Sequence, residues 1–150
     1  MRFSRKLTHA VEAVLDIAYN ASDTPVQSKE IAERQGVPRR YLEQVLQQLV
    51  RADILRGVRG PRGGYRLARE RRRIALGEVV RVVTEIERAE DEAEADSGSE
   101  LGQRVLTPIW HELEEEALKR LDAITIEDLC RKAREEGISS RRQPAPDFMI

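Results

Sequence analysis

Residues 28–67 decide the fold of this chain, and they read SKEIAERQGVPRRYLEQVLQQLVRADILRGVRGPRGGYRL. The stretch predicts a short helix that has Ser28 as its N-cap and ends at Gly36. Apolar residues then recur at helical spacing, which predicts a second helix from about Pro38 to Ala52. Two helices joined by a short glycine-containing turn form a helix-turn-helix.

The end of the same stretch predicts two short strands and a hairpin loop. The strands are Ile54–Val58 and Tyr65–Leu67, and the glycine-rich residues 59–64 lie between them. A hairpin that directly follows a helix-turn-helix is the wing of a winged helix. The predicted fold class is therefore mainly α, a winged helix-turn-helix with a two-stranded wing and a long C-terminal helix.

Further helices flank this region on both sides. Helical spacing of apolar residues predicts an amphipathic helix over residues 4–20, a small one over 78–87, a long one over about 101–121 and a last one over 125–136. The chain then divides into four predicted segments. These are the winged helix-turn-helix region (1–88), an acidic mobile loop (89–102), a long helix with a terminal helix (103–136) and a disordered tail (137–150).

Charge is divided unevenly along the chain. The 150 residues include 26 Lys or Arg and 27 Asp or Glu. Residues 1–73 hold 16 basic against 8 acidic residues, whereas residues 74–150 hold 10 against 19. Clustered Lys and Arg displace condensed counterions from nucleic acid, so the first half is predicted to meet a polyanion. The alternative is a solvated surface of mixed charge.

Composition excludes several classes of protein. No apolar run approaches the roughly 18 residues of a membrane helix, and no apolar segment follows the basic Met1–Leu7 as it would in a secretory signal. We therefore expect a cytoplasmic protein with no membrane partner. The single cysteine excludes an intramolecular disulfide and a thiolate-only zinc site. Two histidines far apart in sequence argue against an enzyme.

The start of the second predicted helix supplies candidate DNA contacts. A helix-turn-helix places the first turn of its second helix in the major groove. There a glutamine side chain can form two hydrogen bonds to adenine, and a glutamate can accept a hydrogen bond from cytosine. Glu43 and Gln44 are therefore the candidate base readers. Arg39 and Arg40 point outward beside them, and the hydroxyl of Tyr41 is placed to reach a phosphate. The alternative for each side chain is a solvated helix face.

The wing loop supplies a second set of candidates. Its glycines allow the backbone to approach DNA, and Arg59 or Arg62 can enter the minor groove, whose negative potential favours a guanidinium. A nucleotide-phosphate loop is the alternative, but no Lys-Ser or Lys-Thr pair follows the glycines and a strand comes next. The full set of predicted DNA-binding residues is Ser28, Arg39, Arg40, Tyr41, Glu43, Gln44, Arg59, Gly60, Pro61, Arg62, Gly63 and Gly64.

Three short motifs resemble the signature of the IscR-type (Rrf-type) family of bacterial winged-helix transcriptional regulators. They are Tyr-Leu-Glu-Gln at 41–44, Val-Arg-Gly-Pro at 58–61 and Gly-Gly-Tyr at 63–65, and the similarity spans about residues 1–136. The family includes an iron–sulfur cluster regulator, a cysteine-metabolism repressor and a nitric-oxide-sensitive repressor. The resemblance implies a regulator of iron, iron–sulfur or sulfur metabolism genes that binds a near-palindromic double-stranded DNA operator.

The resemblance also implies roles for individual residues. Glu43, Gln44 and Arg59 would read bases, and residues 39–41 would lie near the DNA backbone. Two copies of the chain would join as a homodimer through the long C-terminal helix. The apolar stripe predicted to make this contact consists of Leu106, Ile109, Trp110, Leu113, Ala117 and Leu121.

The cluster-binding members of the family resemble one another in three cysteines before the long helix, often with a histidine near its start. This sequence departs from that pattern, because Val105 stands where the third cysteine would be and Pro108 stands near the usual histidine. An iron–sulfur cluster would need non-standard ligation through Cys130, completed by His9, His111 or a carboxylate.

Two alternatives stand beside these expectations. Cys130 lies among apolar residues of its predicted helix, so it is also explained as a small buried core residue, with both histidines exposed to solvent. The whole chain is also explained as a protein-interaction module whose basic half binds an acidic partner without DNA specificity. Salt-sensitive binding that distinguishes an operator from random duplex DNA would favour the regulator.

Overall fold

A computed structural model describes residues 2–91 and 98–141, and it contains six α-helices and one two-stranded sheet within those residues. The helices are α1 (Arg5–Tyr19), α2 (Ser28–Gln35), α3 (Arg39–Arg51), α4 (Leu76–Asp91), α5 (Thr107–Asp122) and α6 (Ile126–Glu135). The strands are β1 (Leu55–Val58) and β2 (Gly64–Leu67). The predicted winged helix-turn-helix is confirmed.

The first three helices pack around one apolar core. Helix α1 contributes Val14 and Ile17, helix α2 contributes Ile31, and helix α3 contributes Leu42 and Leu46, all of which are buried. Removing this much apolar surface from water is the main source of stability for a small domain. The core therefore fixes which face of α3 remains free.

The wing is joined to the loop that precedes α2. Strands β1 and β2 pair antiparallel, with Leu55 opposite Leu67 and Val58 opposite Gly64. Val26, in the loop before α2, pairs with β2 through a one-residue β-bridge. Its N–H donates to Tyr65 O at 3.0 Å, and its carbonyl accepts from Tyr65 N at 2.8 Å. The bridge ties the wing to the helix-turn-helix.

Helix α2 begins one residue earlier than the sequence predicts. Its N-cap is Gln27, in extended conformation, and the Gln27 N–H donates to Glu30 Oε2 at 2.9 Å. The prediction of Ser28 as N-cap is wrong, because its hydroxyl turns away from the start of α2 and bonds to α3 instead. Ser28 is the first helical residue and is buried.

Helix α4 is longer than the predicted 78–87. Its charged last turns are stabilised by the N-terminal segment, because Lys6 pairs with Glu90 at 2.8 Å and Arg2 with Asp91 at 2.9 Å. The segment predicted as an acidic loop therefore begins inside a helix, and it ends inside the π-helical turn Gly102–Leu106 that leads into α5. Residues 92–97 of that prediction lie outside the described residues.

Helices α5 and α6 pack onto this frame. Leu118 of α5 and Ile126 of α6 are buried in the common core. Backbone hydrogen bonds join the α5–α6 turn to the segment before α4, with Leu76 N donating to Ile124 O at 2.7 Å and Ile126 N to Ile74 O at 2.9 Å. Only one side of α5 faces the core.

The segment predicted as a disordered tail is partly structured. Residues 137–141 follow α6 and hydrogen-bond to α1 and to the loop before α2, so the expectation of disorder is wrong for them. Tertiary hydrogen bonds that the local sequence does not reveal hold these residues. Residues 142–150 lie outside the described part of the chain.

Candidate nucleic-acid interface

The outer face of α3 carries polar side chains, as the sequence predicts. Leu42, Val45, Leu46 and Leu49 are buried on its inner face. Arg40 and Gln44 are exposed, and Arg51 continues the same face toward the C-terminus of α3. These three residues border a groove of about 720 Å³ together with Lys6 and Tyr65.

Glu43 is held by a hydrogen-bonded network between α2 and α3. Its Oε1 accepts from the Ser28 hydroxyl at 3.0 Å and from Arg39 Nε at 2.9 Å. Arg39 Nε also lies 3.3 Å from Ser28 Oγ, so the three side chains share one point of contact. The network limits the rotamers of Glu43 and places its carboxylate at the boundary of the exposed face.

Three other arginines of the predicted set are free cations. Among residues 2–91 and 98–141, Arg40, Arg59 and Arg62 are exposed and form no ion pair or side-chain hydrogen bond. Two of them lie on the wing loop and one on α3. Unpaired, exposed guanidinium groups are available for phosphate or base edges.

The structure of the hairpin itself explains the glycines of the wing. A Cβ on Gly64 would lie 2.5 Å from Val26 O, and a Cβ on Gly63 would lie 2.2 Å from Val58 O. Gly60 has a φ of +110°, which favours glycine. The predicted role of these glycines in DNA approach remains a prediction, but the hairpin itself already requires them. Pro61 and Arg62 are exposed at its tip.

Two tyrosines lie on the edge of this face. Tyr41 is half-buried, and its hydroxyl lies 3.3 Å from His9 Nδ1 with the two rings edge to face. The Tyr65 hydroxyl accepts from Gln47 Nε2 at 3.4 Å. Burial raises the pKa of both phenols, so both stay protonated and can donate hydrogen bonds. His9 is thus partly covered by Tyr41 and is not the freely exposed group of the sequence-based alternative.

Sequence reasoning missed part of this face. Lys6 of α1 and Tyr65 of β2 border the same groove as α3, and neither was predicted there. Their placement depends on packing between distant segments, which no local pattern reports. Arg51 had a readable signal, because it follows Arg40 and Gln44 at i+11 and i+7 along one helical face.

The residues considered as cluster ligands do not fit such a site. Cys130 is fully buried within the core, and burial raises the pKa of its thiol, which disfavours the thiolate that binds iron. His9 contacts Tyr41 on α3, and His111 is exposed on α5. Within the described ranges no three His, Cys, Asp or Glu side chains form a group able to hold a metal ion.

The predicted dimerisation stripe divides into two faces. Leu106, Ile109, Trp110 and Leu113 are exposed, with Trp110 exposed to 58% and Ile109 to 46%. Leu121 instead packs against the chain's own core, beside the buried Leu118. Leu121 therefore belongs to the inner side of α5. Val105 and Leu101, which precede α5, are also exposed apolar side chains.

A comparison with protein families decides the identity. The Rrf2 model, described as iron-dependent transcriptional regulator, matches residues 3–132. The chain belongs to the Rrf2 family. Among curated Rrf2-like relatives, the HTH-type transcriptional regulator IscR of Photobacterium profundum is 38% identical over 144 residues, which cover 95% of this chain and 83% of that protein.

Solved structures agree with this assignment to the Rrf2 family. IscR of T. potens superposes with a TM-score of 0.71 at 33% identity and covers 93% of both chains. CymR, the global cysteine regulator of B. subtilis, superposes with a TM-score of 0.66 at 27% identity over 88% of this chain and 98% of its own. The predicted DNA-binding transcriptional regulator is confirmed, and the interaction module is not favoured. No helix of this Rrf2 member within the described residues is long and apolar enough to cross a membrane.

Proposed function

We propose that this Rrf2-family regulator acts in the cytoplasm as a homodimer on a near-palindromic operator, and that it has no catalytic activity. The observation that carries the proposal is the groove between α3 and the wing, where Gln47 and Arg59 lie beside Ser28 and Arg39 of the Ser28–Arg39–Glu43 network. By analogy with its relatives, its target genes belong to iron, iron–sulfur or sulfur metabolism.

The charges at the start of α3 support DNA binding over a purely structural explanation. Arg39 and Arg40 occupy the first turn of α3, which contains no acidic residue. Cations at a helix N-terminus oppose the helix dipole, at a cost of about 0.3–1 kcal/mol each. The charge of Arg39 is offset by its ion pair with Glu43, whereas Arg40 has no such partner within the described residues, so its placement becomes favourable only when the helix end meets DNA phosphates.

The two DNA-facing elements suggest a division of roles. Gln44 and the network-held Glu43 point from α3 and would read bases in the major groove, while Arg59 would read from the wing. Arg40 would contact phosphates because, within the described residues, it is exposed and unpaired. Arg39 is engaged by Glu43, so we assign it to orienting that carboxylate rather than to a phosphate.

The exposed face of α5 supports the homodimer. Large apolar side chains rarely form a contiguous exposed patch on a monomer, and here Ile109, Trp110 and Leu113 lie on one side of one helix. A second copy presents the same face, as a two-fold interface requires. Two winged-helix heads would then reach half-sites about 34 Å apart on the duplex.

Cys130 is proposed as a core residue and not as a cluster ligand. Its complete burial and the raised pKa of its thiol support this role. Absorption spectra of the anaerobically purified chain test it, since a bound iron–sulfur cluster is coloured and the apo chain is not.

Equilibrium binding to duplex DNA at several salt concentrations tests the proposed function. The account predicts that affinity falls steeply as salt rises, and that a duplex selected for binding is held far more tightly than a random one. Weak binding that is equal for all duplexes would contradict sequence-specific regulation.

A further inference from the structure

The segment after α6 folds back onto the end of α1 and the start of α2. Gly137 adopts a φ of +75°, which turns the chain away from α6. The Tyr19 hydroxyl at the end of α1 donates to the Ile138 carbonyl, and the backbone N–H of Arg141 donates to Asn20 Oδ1 at 3.0 Å. We call residues 137–141 the C-terminal strap.

The side chain of Arg141 joins this strap to the start of α2. Its Nη1 donates to Glu30 Oε2 at 2.8 Å, and its Nη2 donates to Thr24 Oγ1 at 2.6 Å and to Ser22 Oγ at 3.3 Å. One guanidinium therefore connects helix α2 with the loop between α1 and α2, although both lie far from Arg141 in sequence.

Glu30 connects the strap to the residues at the start of α2 that contact α3. Its Oε2 also accepts the backbone N–H of Gln27, the N-cap of α2. The next residue, Ser28, holds Glu43. The strap thus fixes the same helix start that orients a candidate base reader.

Arg141 also changes the charge at the edge of the interface. It borders a groove of about 600 Å³ together with the exposed Lys29 of α2 and Arg62 at the wing tip. Without Arg141, the Glu30 carboxylate would lose its ion-pair partner, and its charge would add to that of Glu33, which borders the same groove. A carboxylate at this edge would repel DNA phosphates.

We propose that Arg141 is a positioning residue for DNA binding, which holds the loop before α2 and neutralises Glu30 beside Lys29 and Arg62. The inference rests on the proposed function. Because its guanidinium is already engaged by Glu30 and Thr24, Arg141 acts through them and not as a phosphate contact.

The test measures the affinity of the full chain for a random-sequence duplex at several salt concentrations. Arg141→Ala should bind about 3–10-fold more weakly than the wild type and keep its salt slope, whereas Arg62→Ala should lower that slope by about 1. Arg141→Lys should bind more tightly than Arg141→Ala but more weakly than the wild type, since lysine restores the positive charge but not the several N–H donors of the guanidinium. Arg131→Ala is the matched control, because within the described residues Arg131 pairs only with Asp128 of its own helix.

A second substitution separates the neutralisation of Glu30 from the positioning of the loop. Glu30→Gln keeps an acceptor for the Gln27 N–H and removes the charge, so it should restore the part of the affinity that Arg141→Ala loses through the unpaired carboxylate, but not the part lost with the loop contacts. Wild-type affinity in Arg141→Ala, a salt slope lower by about 1, or no rescue by Glu30→Gln would each overturn the inference. A wild-type chain that binds no duplex would instead contradict the proposed function, and the inference would fail with it.

Discussion

Arg39 and Glu43 form an ion pair across one turn at the start of α3, with Arg39 Nε 2.9 Å from Glu43 Oε1. Both side chains are partly exposed, and an exposed pair at this spacing contributes only about 0.3–0.5 kcal/mol to stability. Its basic member also precedes the acidic one, which is the weaker order in a helix. The pair is therefore better explained by the position it gives the Glu43 carboxylate for DNA recognition than by its contribution to folding stability.

Arg39→Ala is expected to reduce sequence discrimination more than it reduces the salt slope. Loss of the guanidinium frees the Glu43 carboxylate and leaves its charge facing phosphates. On a selected duplex we expect a cost of about 1–3 kcal/mol, with weakened preference at the base pair that Glu43 reads. Fluorescence anisotropy with selected and single-base-changed duplexes measures both quantities.

The double variant Arg39→Ala/Glu43→Ala provides the control for this pair. If Arg39 acts by orienting Glu43, the two single effects should not add, with a coupling of about 0.5–3 kcal/mol. Ser28→Ala should show coupling to Glu43→Ala of the same sign. Additive effects in both cycles would show that the network has no part in recognition.

Gln44→Ala and Arg59→Ala are predicted to relax sequence preference at particular base pairs. Each should cost about 1–3 kcal/mol on the selected duplex. Arg40→Ala, the matched change at an arginine unpaired within the described residues, should weaken all duplexes alike and lower the salt slope by about 1. Uniform loss from Gln44→Ala and Arg59→Ala, with specificity unchanged, would refute the assignment of base readers.

The helix-turn-helix and the wing were predictable because local patterns encode them. Apolar spacing placed Leu42 and Leu46 on the inner face of α3, and the glycine-rich loop marked the hairpin. The contacts of Ser28 and Arg141 were not predictable, since each depends on a partner in another element. Periodicity reports which face is apolar, but it does not report which polar groups meet across elements.

The same limit applies to α5. Apolar spacing alone joined Leu121 to the outer stripe, although Leu121 packs against the core and Trp110 does not. An apolar helix with two partners carries two apolar faces, and the sequence does not say which face each partner covers. The packing of α5 against α4 separates them.

Ile109→Glu is expected to yield a folded monomer with much weaker binding to the selected duplex. The substitution places a charge within the exposed apolar face of α5 without touching the core, because Ile109 is exposed. Ala123→Glu introduces the same charge at an exposed position just beyond α5 and should leave the oligomeric state unchanged. Sedimentation at micromolar concentration checks both, and a wild-type chain that is already monomeric would contradict the dimer.

Cys130 is expected to resist alkylation in the folded chain. Burial shields the thiol, and its raised pKa lowers the thiolate fraction at neutral pH, so modification should be slow and should not accelerate until the pH exceeds the ordinary thiol range. Denaturant should make the reaction fast, which provides the internal control. Rapid labelling of the native chain would contradict the burial of the thiol, and loss of iron and colour in Cys130→Ser would show that the thiol binds a cluster.

Selection of bound duplexes from a random-sequence library tests the central claim most directly. If two copies of the chain present α3 and the wing to DNA, the bound fraction should converge on a near-palindromic sequence with half-sites about one helical turn, roughly 34 Å, apart. The same selection with Gln44→Ala should lose preference at symmetric positions in both half-sites. A bound fraction with no sequence enrichment, or with one unpaired half-site, would contradict a homodimeric sequence-specific regulator.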